Sequence, residues 1–248
     1  MKILAIDTTG QTASAAIAQE DKLIGEFTLN YKLTHSQTIL PMIAELCEKS
    51  ETKPREVEYI ACASGPGSFT GLRIGAATAK GLALALNKEI VPVPTLDALA
   101  YNVFETDKII CPMMDARRSQ VYTAFYRWDN GKLCRLTPML AISIEEVIQM
   151  ANNYAEKVIF LGDGVPVHKK KLSLYPDFMF APAHCSLQRA ASVAALAMEL
   201  VKEGGAVKGD AFALIYLRKS QAEREREERL RGEGKQDDSS NPNGRGAH

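Results

Sequence analysis

The alternation of apolar and polar positions divides this chain into two runs of similar order. Residues 2–7, 12–19 and 22–29 read as three successive strands. Helix 36–49 follows, then strand 57–63, helix 70–86, strand 89–93 and helix 96–104. The order then restarts. Residues 108–114, 120–128 and 132–140 read as strands, with a hairpin turn at Asp129-Asn130-Gly131. A helix starts at Ser143, where Ser143 and Glu146 have the spacing of a capping box. Strand 157–161, a short helical stretch near 166–174, strand 177–180 and helix 187–203 complete the series. The pattern gives that last helix Ser186 as its cap and Gly204 as its stop.

Each run is thus βββ-α-β-α-β-α, and each first strand ends on an aspartate, Asp7 and Asp115. A repeated mixed α/β unit of this kind resembles the actin, sugar-kinase and Hsp70 architecture, in which two halves face each other across a cleft. The expected fold class is therefore α/β, a duplicated actin-like (ASKHA) fold. Residues 1–104 form its first half, 105–217 its second, and 218–248 a charged tail without the apolar residues that repay ordering.

The most informative segment runs from Ser64 to Gly75, SGPGSFTGLRIG. A strand leads in and a long Ala-rich helix leads out, so unpaired amides and a positive helix end face whatever lies in front. It is neither a P-loop nor a dinucleotide fingerprint. Two readings fit it. Gly65, Gly67 and Ser68 make an anion cradle, or they make a tight turn while Gly71, Gly75 and Ala79, at i+4 spacing, let the helix pack closely on a neighbour. Helix 36–49 carries Ile39, Leu40, Met42, Ile43, Leu46 and Cys47 on an apolar arc wider than one stripe, with Pro41 inside it. Such a helix is either deep in the core or covered by a partner.

Composition narrows the function. Thirty basic and thirty acidic residues cancel, so no global field draws the chain to nucleic acid or to an anionic membrane. No apolar run is long enough to span a bilayer, and because the sequence opens directly on a strand no signal peptide is expected. The five cysteines are scattered, as in a reduced, cytoplasmic protein. No two of the four histidines lie at i+3 or i+4, so there is no helical metal pair. His35 is placed at the mouth of a helix, and His168 belongs to the charge run His168-Lys169-Lys170-Lys171, read as a solvent face. No nucleophile with a base and an acid is apparent. Asp7 with Thr8 and Thr9 resembles the first phosphate loop of actin-like proteins, where a carboxylate acts through hydrated Mg²⁺, although Asp7 equally suits a turn that bonds its own backbone. Gly162, Asp163 and Gly164 fall where such folds hold a nucleoside.

Taken in order, Ile6-Asp7-Thr8-Thr9, Thr34-His35-Ser36, Leu40-Pro41, the Ser64–Gly75 run and Tyr216-Leu217-Arg218 are similar to the TsaB (YeaZ) family over about residues 1–218. The resemblance implies a cytoplasmic, non-catalytic subunit of the complex that makes threonylcarbamoyladenosine (t6A) in tRNA. There TsaB pairs with its paralogue TsaD, and the ATPase TsaE joins them. The complex moves threonylcarbamoyl from its adenylate to N6 of A37 in tRNAs that read ANN codons. The resemblance further implies docking by the first two helices, through His35, Ile39, Met42, Ile43, Leu46, Gly71, Gly75 and Ala79. It implies a homodimer when the chain is alone, contact with tRNA only through the complex, and no tightly bound cofactor, with ATP or ADP held weakly or at the partner interface. The catalytic paralogue carries a His-x-x-x-His metal pair after the strand that follows the glycine run and helix. Here those positions read Thr95 and Leu99, and a leucine cannot coordinate a metal. Two alternatives from other classes are a glycoprotease-like peptidase and an actin-like small-molecule kinase.

Overall fold

The computed structural model describes residues 1–31 and 33–218. The tail expected at 218–248 lies outside them except for Arg218. Residues Met1–Leu217 form one compact unit.

The first sheet is built from β1 (Lys2–Asp7), β2 (Ala13–Gln19), β3 (Lys22–Leu29), β4 (Tyr59–Gly65) and β5 (Glu89–Pro94), in the order β3-β2-β1-β4-β5. β1 and β2 pair antiparallel, as do β2 and β3, whereas β4 runs parallel to β1 and to β5. Both faces of this sheet are covered, so its central strand is apolar on alternate sides without a break. Leu4 and Ile6 meet α1 (His35–Lys49) and α2 (Phe69–Leu86) through Ile39, Ile43, Leu46, Ala76 and Ala79. Ile3 and Ala5 meet α6 (Ala190–Lys202) through Ala190, Val193, Ala194 and Ala197.

The second half repeats the plan. β6 (Ile109–Asp115), β7 (Gln120–Thr123), β10 (Leu140–Ser143), β11 (Val158–Leu161) and β12 (Phe178–Phe180) take the order β10-β7-β6-β11-β12, with the same pattern of antiparallel and parallel pairs. Two sheets of matching order make this the actin-like (ASKHA) fold. The hairpin β8 (Tyr126–Asp129) and β9 (Lys132–Arg135) is inserted into the second copy. Its turn residues Asn130 and Gly131 both have positive φ, as the two-residue hairpin demands. α3 (Thr95–Ala100), α4 (Ile144–Ala151) and α5 (Gly164–Leu172) complete the helices, and the Ser143–Glu146 capping box is formed.

Four elements differ from the pattern read along the chain. The helix expected over 96–104 ends at Ala100. The strand expected over 120–128 breaks at Ala124 and Phe125, both fully buried. Phe125 enters the core under α4, whereas Ala124, Tyr126 and Trp128 pack on the opposite side with Leu96 and Leu99. The strand expected over 132–140 divides likewise, and Leu136 N–H turns back to the Phe125 carbonyl at 2.7 Å. The last helix starts at Ala190 rather than after Ser186, because Arg189 is extended. Its first amides are satisfied from far away in the sequence: Ala190 N–H donates to Ser14 Oγ at 2.9 Å and Ala191 N–H to Glu26 Oε1 at 3.0 Å. Gly204, with φ of 78°, ends the helix as expected.

Residues beyond α6 also return to the first half. Val207 bridges Ile90, Phe212 joins the core beneath α1 and α2, and Ile215 N–H donates to the Ser64 carbonyl at 2.7 Å. Among the described residues no helix is long and apolar enough to cross a membrane.

Candidate functional site

Four turns meet where the two halves face each other: the β1–β2 turn, the Ser64–Phe69 glycine loop, the end of β6 and the Gly162–Gly164 turn. At the centre is Asp7, fully buried at the end of β1. Its Oδ1 accepts from Thr9 N–H at 2.8 Å and from Thr9 Oγ1 at 2.7 Å. The carboxylate therefore does bond its own turn, as one of the two sequence readings held. Burial pushes Asp7 up to about 6, against the pull of the Thr9 hydrogen bonds and of His35, with Asp163 pushing it further up. His35 caps the same turn through Nε2 and the Gly10 carbonyl, 3.0 Å apart.

The glycine loop wraps this turn closely. A Cβ on Gly67 would lie 2.6 Å from the Thr9 carbonyl oxygen, one on Gly75 would lie 2.6 Å from Thr8 Oγ1, and one on Gly71 would be closer still to the Thr8 carbonyl oxygen. Several of the loop's amides are occupied within the chain. Ser68 N–H donates to Thr9 O at 2.7 Å, Gly71 N–H to Ser68 Oγ at 3.3 Å, and Gly65 N–H to Thr95 Oγ1 at 3.0 Å. Thr8 Oγ1 in turn donates to the Gly71 carbonyl at 2.8 Å. Gly65 has φ of 114°, and any side chain there would strike the Ile215 carbonyl. Of the two readings of this segment, the geometry realises the tight turn with close packing, and the neighbour it packs on is the Thr8–Thr9 turn that follows β1.

Across the cleft, Asp163 Oδ1 accepts from Asp115 N–H at 3.0 Å. Asp163 is also reached by Gln11 N–H from the first half, and burial raises its carboxyl above the usual carboxylate range. Gly162, with φ of 103°, lies against the Met113 carbonyl and donates its N–H to Ser186 O at 2.6 Å. Thus Asp7, Thr8, Thr9, Gly67 and Ser68 come together, Gly65 faces the C-terminal segment instead, and Gly162, Asp163 and Gly164 approach from the opposite half. Sequence reasoning missed Gln11, Gln188 and Ile215, and it singled out Thr95 only as a position without an imidazole. Gln188 is buried against Gly10 with no partner for either carboxamide atom. No local motif marks Gln11, Gln188 or Ile215, because each acts through contacts distant in sequence.

The helical flank requires a correction. Ile39, Ile43 and Leu46 are buried with Gly71, Gly75 and Ala79 in this chain's own interior. The apolar arc of α1 is wide because one edge of it faces β1, β2 and α2. What α1 and α2 turn outward is different: Leu40 at 51% exposure, half-buried Met42, exposed Ala44, Ala77, Gly81 and Ala85, and Leu84 at 86%. A groove of about 560 Å³ lies between the two helices, bordered by Leu40, Ile43, Ala44, Leu82 and Leu86. His168 is corrected too. It is buried and its Nε2 has no partner, whereas Lys169, Lys170 and Lys171 are exposed.

The pair of positions after β5 is also defined. Thr95 is fully buried, its hydroxyl engaged by Gly65, and Leu99 packs with Leu96, Ile110 and Met114. Neither the donor set nor the room suits a metal ion at this place.

The Asp7 geometry carries a prediction. Because its folded-state carboxyl is raised from 3.8 to about 6, the folded chain holds a proton that the unfolded chain releases between those values. The penalty is absent below about pH 4, grows as pH rises and is complete above about pH 6. Asp7→Asn keeps both acceptor contacts to Thr9 and removes the charge. It should raise unfolding stability at pH 7 by roughly 3 kcal/mol, with the gain over wild type vanishing near pH 4. Urea unfolding of both proteins at the two pH values checks this, and an equal difference at both rejects it.

Comparison with known proteins agrees with the geometry. The family model TsaD: tRNA N6-adenosine threonylcarbamoyltransferase matches residues 22–226. The tRNA threonylcarbamoyladenosine biosynthesis protein TsaB of Bacillus subtilis is 37% identical over 172 residues, 69% of this chain and 75% of the relative. That of Escherichia coli is 28% identical over 225 residues, 90% and 96% of the two chains. YeaZ from Pseudomonas aeruginosa superposes with a TM-score of 0.75 at 25% identity, covering 87% of this chain and 99% of that one. Component A of the Acidaminococcus fermentans (R)-2-hydroxyglutaryl-CoA dehydratase, with a TM-score of 0.50 at 12% identity over 82% and 99% of the chains, shares the fold alone. An actin-like pair of halves, a glycine loop folded onto the Asp7 turn and relatives that agree over most of their length lead to one assignment: the chain belongs to the TsaB (YeaZ) family.

Proposed function

We propose that this chain is a non-catalytic, cytoplasmic subunit of tRNA t6A synthesis that works by holding a TsaD-type paralogue. One observation carries the reading. The positions that in the paralogue hold two imidazoles are Thr95 and Leu99, and both are committed to internal packing. The match to the TsaD family model over most of the chain supports common descent with the transferase, so the likeness extends to the fold while the metal ligands are gone.

The docking face is the outward side of α1 and α2. Leu40, Met42 and Leu84 supply apolar area, and Ala77, Gly81 and Ala85 let another helix come close. A Cβ on Gly81 would meet nothing within 4 Å. When the chain is alone the same face pairs with a second copy. Nucleotide, in this reading, is held weakly by the lone chain and more firmly at the joint surface with the partner. The self-bonded amides of the glycine loop support weak binding by the lone chain.

Reconstitution tests the proposal. The purified chain, given tRNA and threonylcarbamoyl-adenylate, should transfer nothing to A37. Transfer should follow once TsaD and TsaE are added. Turnover by the lone chain would end the non-catalytic reading.

A further inference from the structure

The turn between β6 and β7 has an unusual backbone. Arg117, Arg118 and Ser119 take φ values of 64°, 54° and 57°, three consecutive non-glycine residues in the left-handed region. L-residues are strained there and glycine is not. The turn is nevertheless well defined. Asp115 Oδ1 accepts Arg117 N–H at 2.8 Å, Gln120 N–H donates to Arg117 O at 3.1 Å, and Ala116 N–H donates to Gln120 O at 3.0 Å. The strained conformation points cations outward. The Arg117 side chain is 87% exposed and reaches Asp115 only at 3.5 Å, while Arg118 is exposed and makes no ion pair among the described residues.

A second cationic element is tied to this turn by a hydrogen bond. Asp163 Oδ1 accepts the Asp115 amide at 3.0 Å, and Asp163 is the residue immediately before α5. Lys169, Lys170 and Lys171 follow. Lys169 lies 5.2 Å over the Phe180 ring and Lys171 pairs with Glu145, which leaves Lys170 exposed and without an ion pair among the described residues. Lys170 is six residues into α5, about 9 Å along its axis.

We propose that Arg117, Arg118 and Lys170 form a contact site for the phosphate backbone of tRNA. This rests on the reading that the chain serves tRNA modification, and it goes beyond it by giving the chain its own hold on the RNA. Arginine at an exposed turn suits phosphate oxygens, which accept two guanidinium N–H bonds at once. The carboxylates nearby do not compete for these cations equally: Asp7 and Asp163 are buried and Asp115 pairs loosely with Arg117, whereas Arg118 and Lys170 are exposed with no ion pair among the described residues. Because the whole chain has no net charge, attraction to RNA must come from such a local cluster.

The test uses the assembled complex of this chain with its TsaD-type paralogue, and unmodified tRNA that reads ANN codons, titrated by fluorescence anisotropy from 50 to 200 mM salt. The variants are Arg118→Gly alone and Arg118→Gly with Lys170→Ala. A purely structural turn gains from glycine at a left-handed position, so Arg118→Gly should raise Tm by about 2–4 °C. At the same time tRNA affinity should fall several-fold. The slope of log K against log salt should become shallower by about one for the single variant and about two for the double. Unchanged affinity and slope overturn the proposal, as does weakened ADP binding with tRNA binding intact. Co-elution of the two proteins, read on the same samples, reports the docking reading separately. Should wild type fail to co-elute, docking is lost, and the salt-dependent tRNA binding of the isolated chain and its variants decides the phosphate site.

Discussion

Gly71→Ala should cost the chain about 2–4 kcal/mol of stability and lower its Tm by roughly 5–10 °C. The new methyl group points at the carbonyl oxygen of Thr8, which is backbone rather than a yielding side chain. That carbonyl has little freedom to move. Thr8 also reaches Gly71 O through its hydroxyl, and Thr9 is fixed by Asp7 and by Ser68 N–H. Either α2 lifts off the end of β1 or the buried Asp7 turn deforms, and both break interior contacts. Alanine has the better helix propensity, by up to about 1 kcal/mol, so the clash is opposed but not offset. Gly81→Ala supplies the internal control. It lies on the same helix with open space around it, and it should gain about 0.5–1 kcal/mol. Thermal melts of the two variants should move in opposite directions, and a Gly71→Ala melt that matches the Gly81→Ala one would show that the glycine loop is not clamped on the turn after β1.

The second large effect concerns association. Leu40→Asp with Leu84→Asp should weaken binding to the TsaD-type partner by a hundredfold or more while leaving a folded monomer. Two apolar anchors near the centre of an interface commonly contribute about 2 kcal/mol each, and a buried unpaired carboxylate adds to the loss. Both leucines are more than half exposed in the free chain, so the fold itself should change by no more than about 0.5 kcal/mol. Ile43→Glu makes the contrast. Ile43 is 5% exposed, and a carboxylate there enters the core with Leu4, Ile6 and Leu46. That variant should lose the fold, and partner binding with it, for a reason unrelated to the interface. Sizing chromatography with circular dichroism separates the two cases. Wild-type co-elution by a folded Leu40→Asp, Leu84→Asp variant would place the docking face elsewhere.

Much of this architecture can be read from the chain because its cues are local. The strand-turn-helix around Ser64–Gly75, the hairpin at Asn130-Gly131 and the Ser143–Glu146 capping box each depend on residues a few positions apart. The repeat of element order, with Asp7 and Asp115 closing matching strands, is enough to suggest two related halves. What failed was direction. Periodicity shows that α1 has a broad apolar arc, but it does not say that Ile39, Ile43 and Leu46 face inward while Leu40 and Leu84 face out. A stripe of small residues permits close approach without naming the neighbour, and here Gly71 and Gly75 approach Thr8, in the turn after β1, rather than a second molecule. The Ser186 cap was wrong for a related reason. Ser14 and Glu26 had already supplied what the helix end needed, and no sequence window contains both partners. The candidate site divides in the same way: Asp7, Thr8, Thr9, Gly67 and Ser68 are contiguous motifs, whereas Gln11, Gln188 and Ile215 join them only through tertiary contacts.

The attachment of α6 to β2 and β3 also has a bearing on how the chain is made. The helix is synthesised long after the sheet that it covers. Ile3, Ala5, Ala16 and Val91 therefore wait with their side of the sheet bare, a surface open to wrong pairings until α6 is made. Closure comes late and depends on non-local contacts, which makes folding slow relative to a chain whose halves are each sealed by their own neighbours.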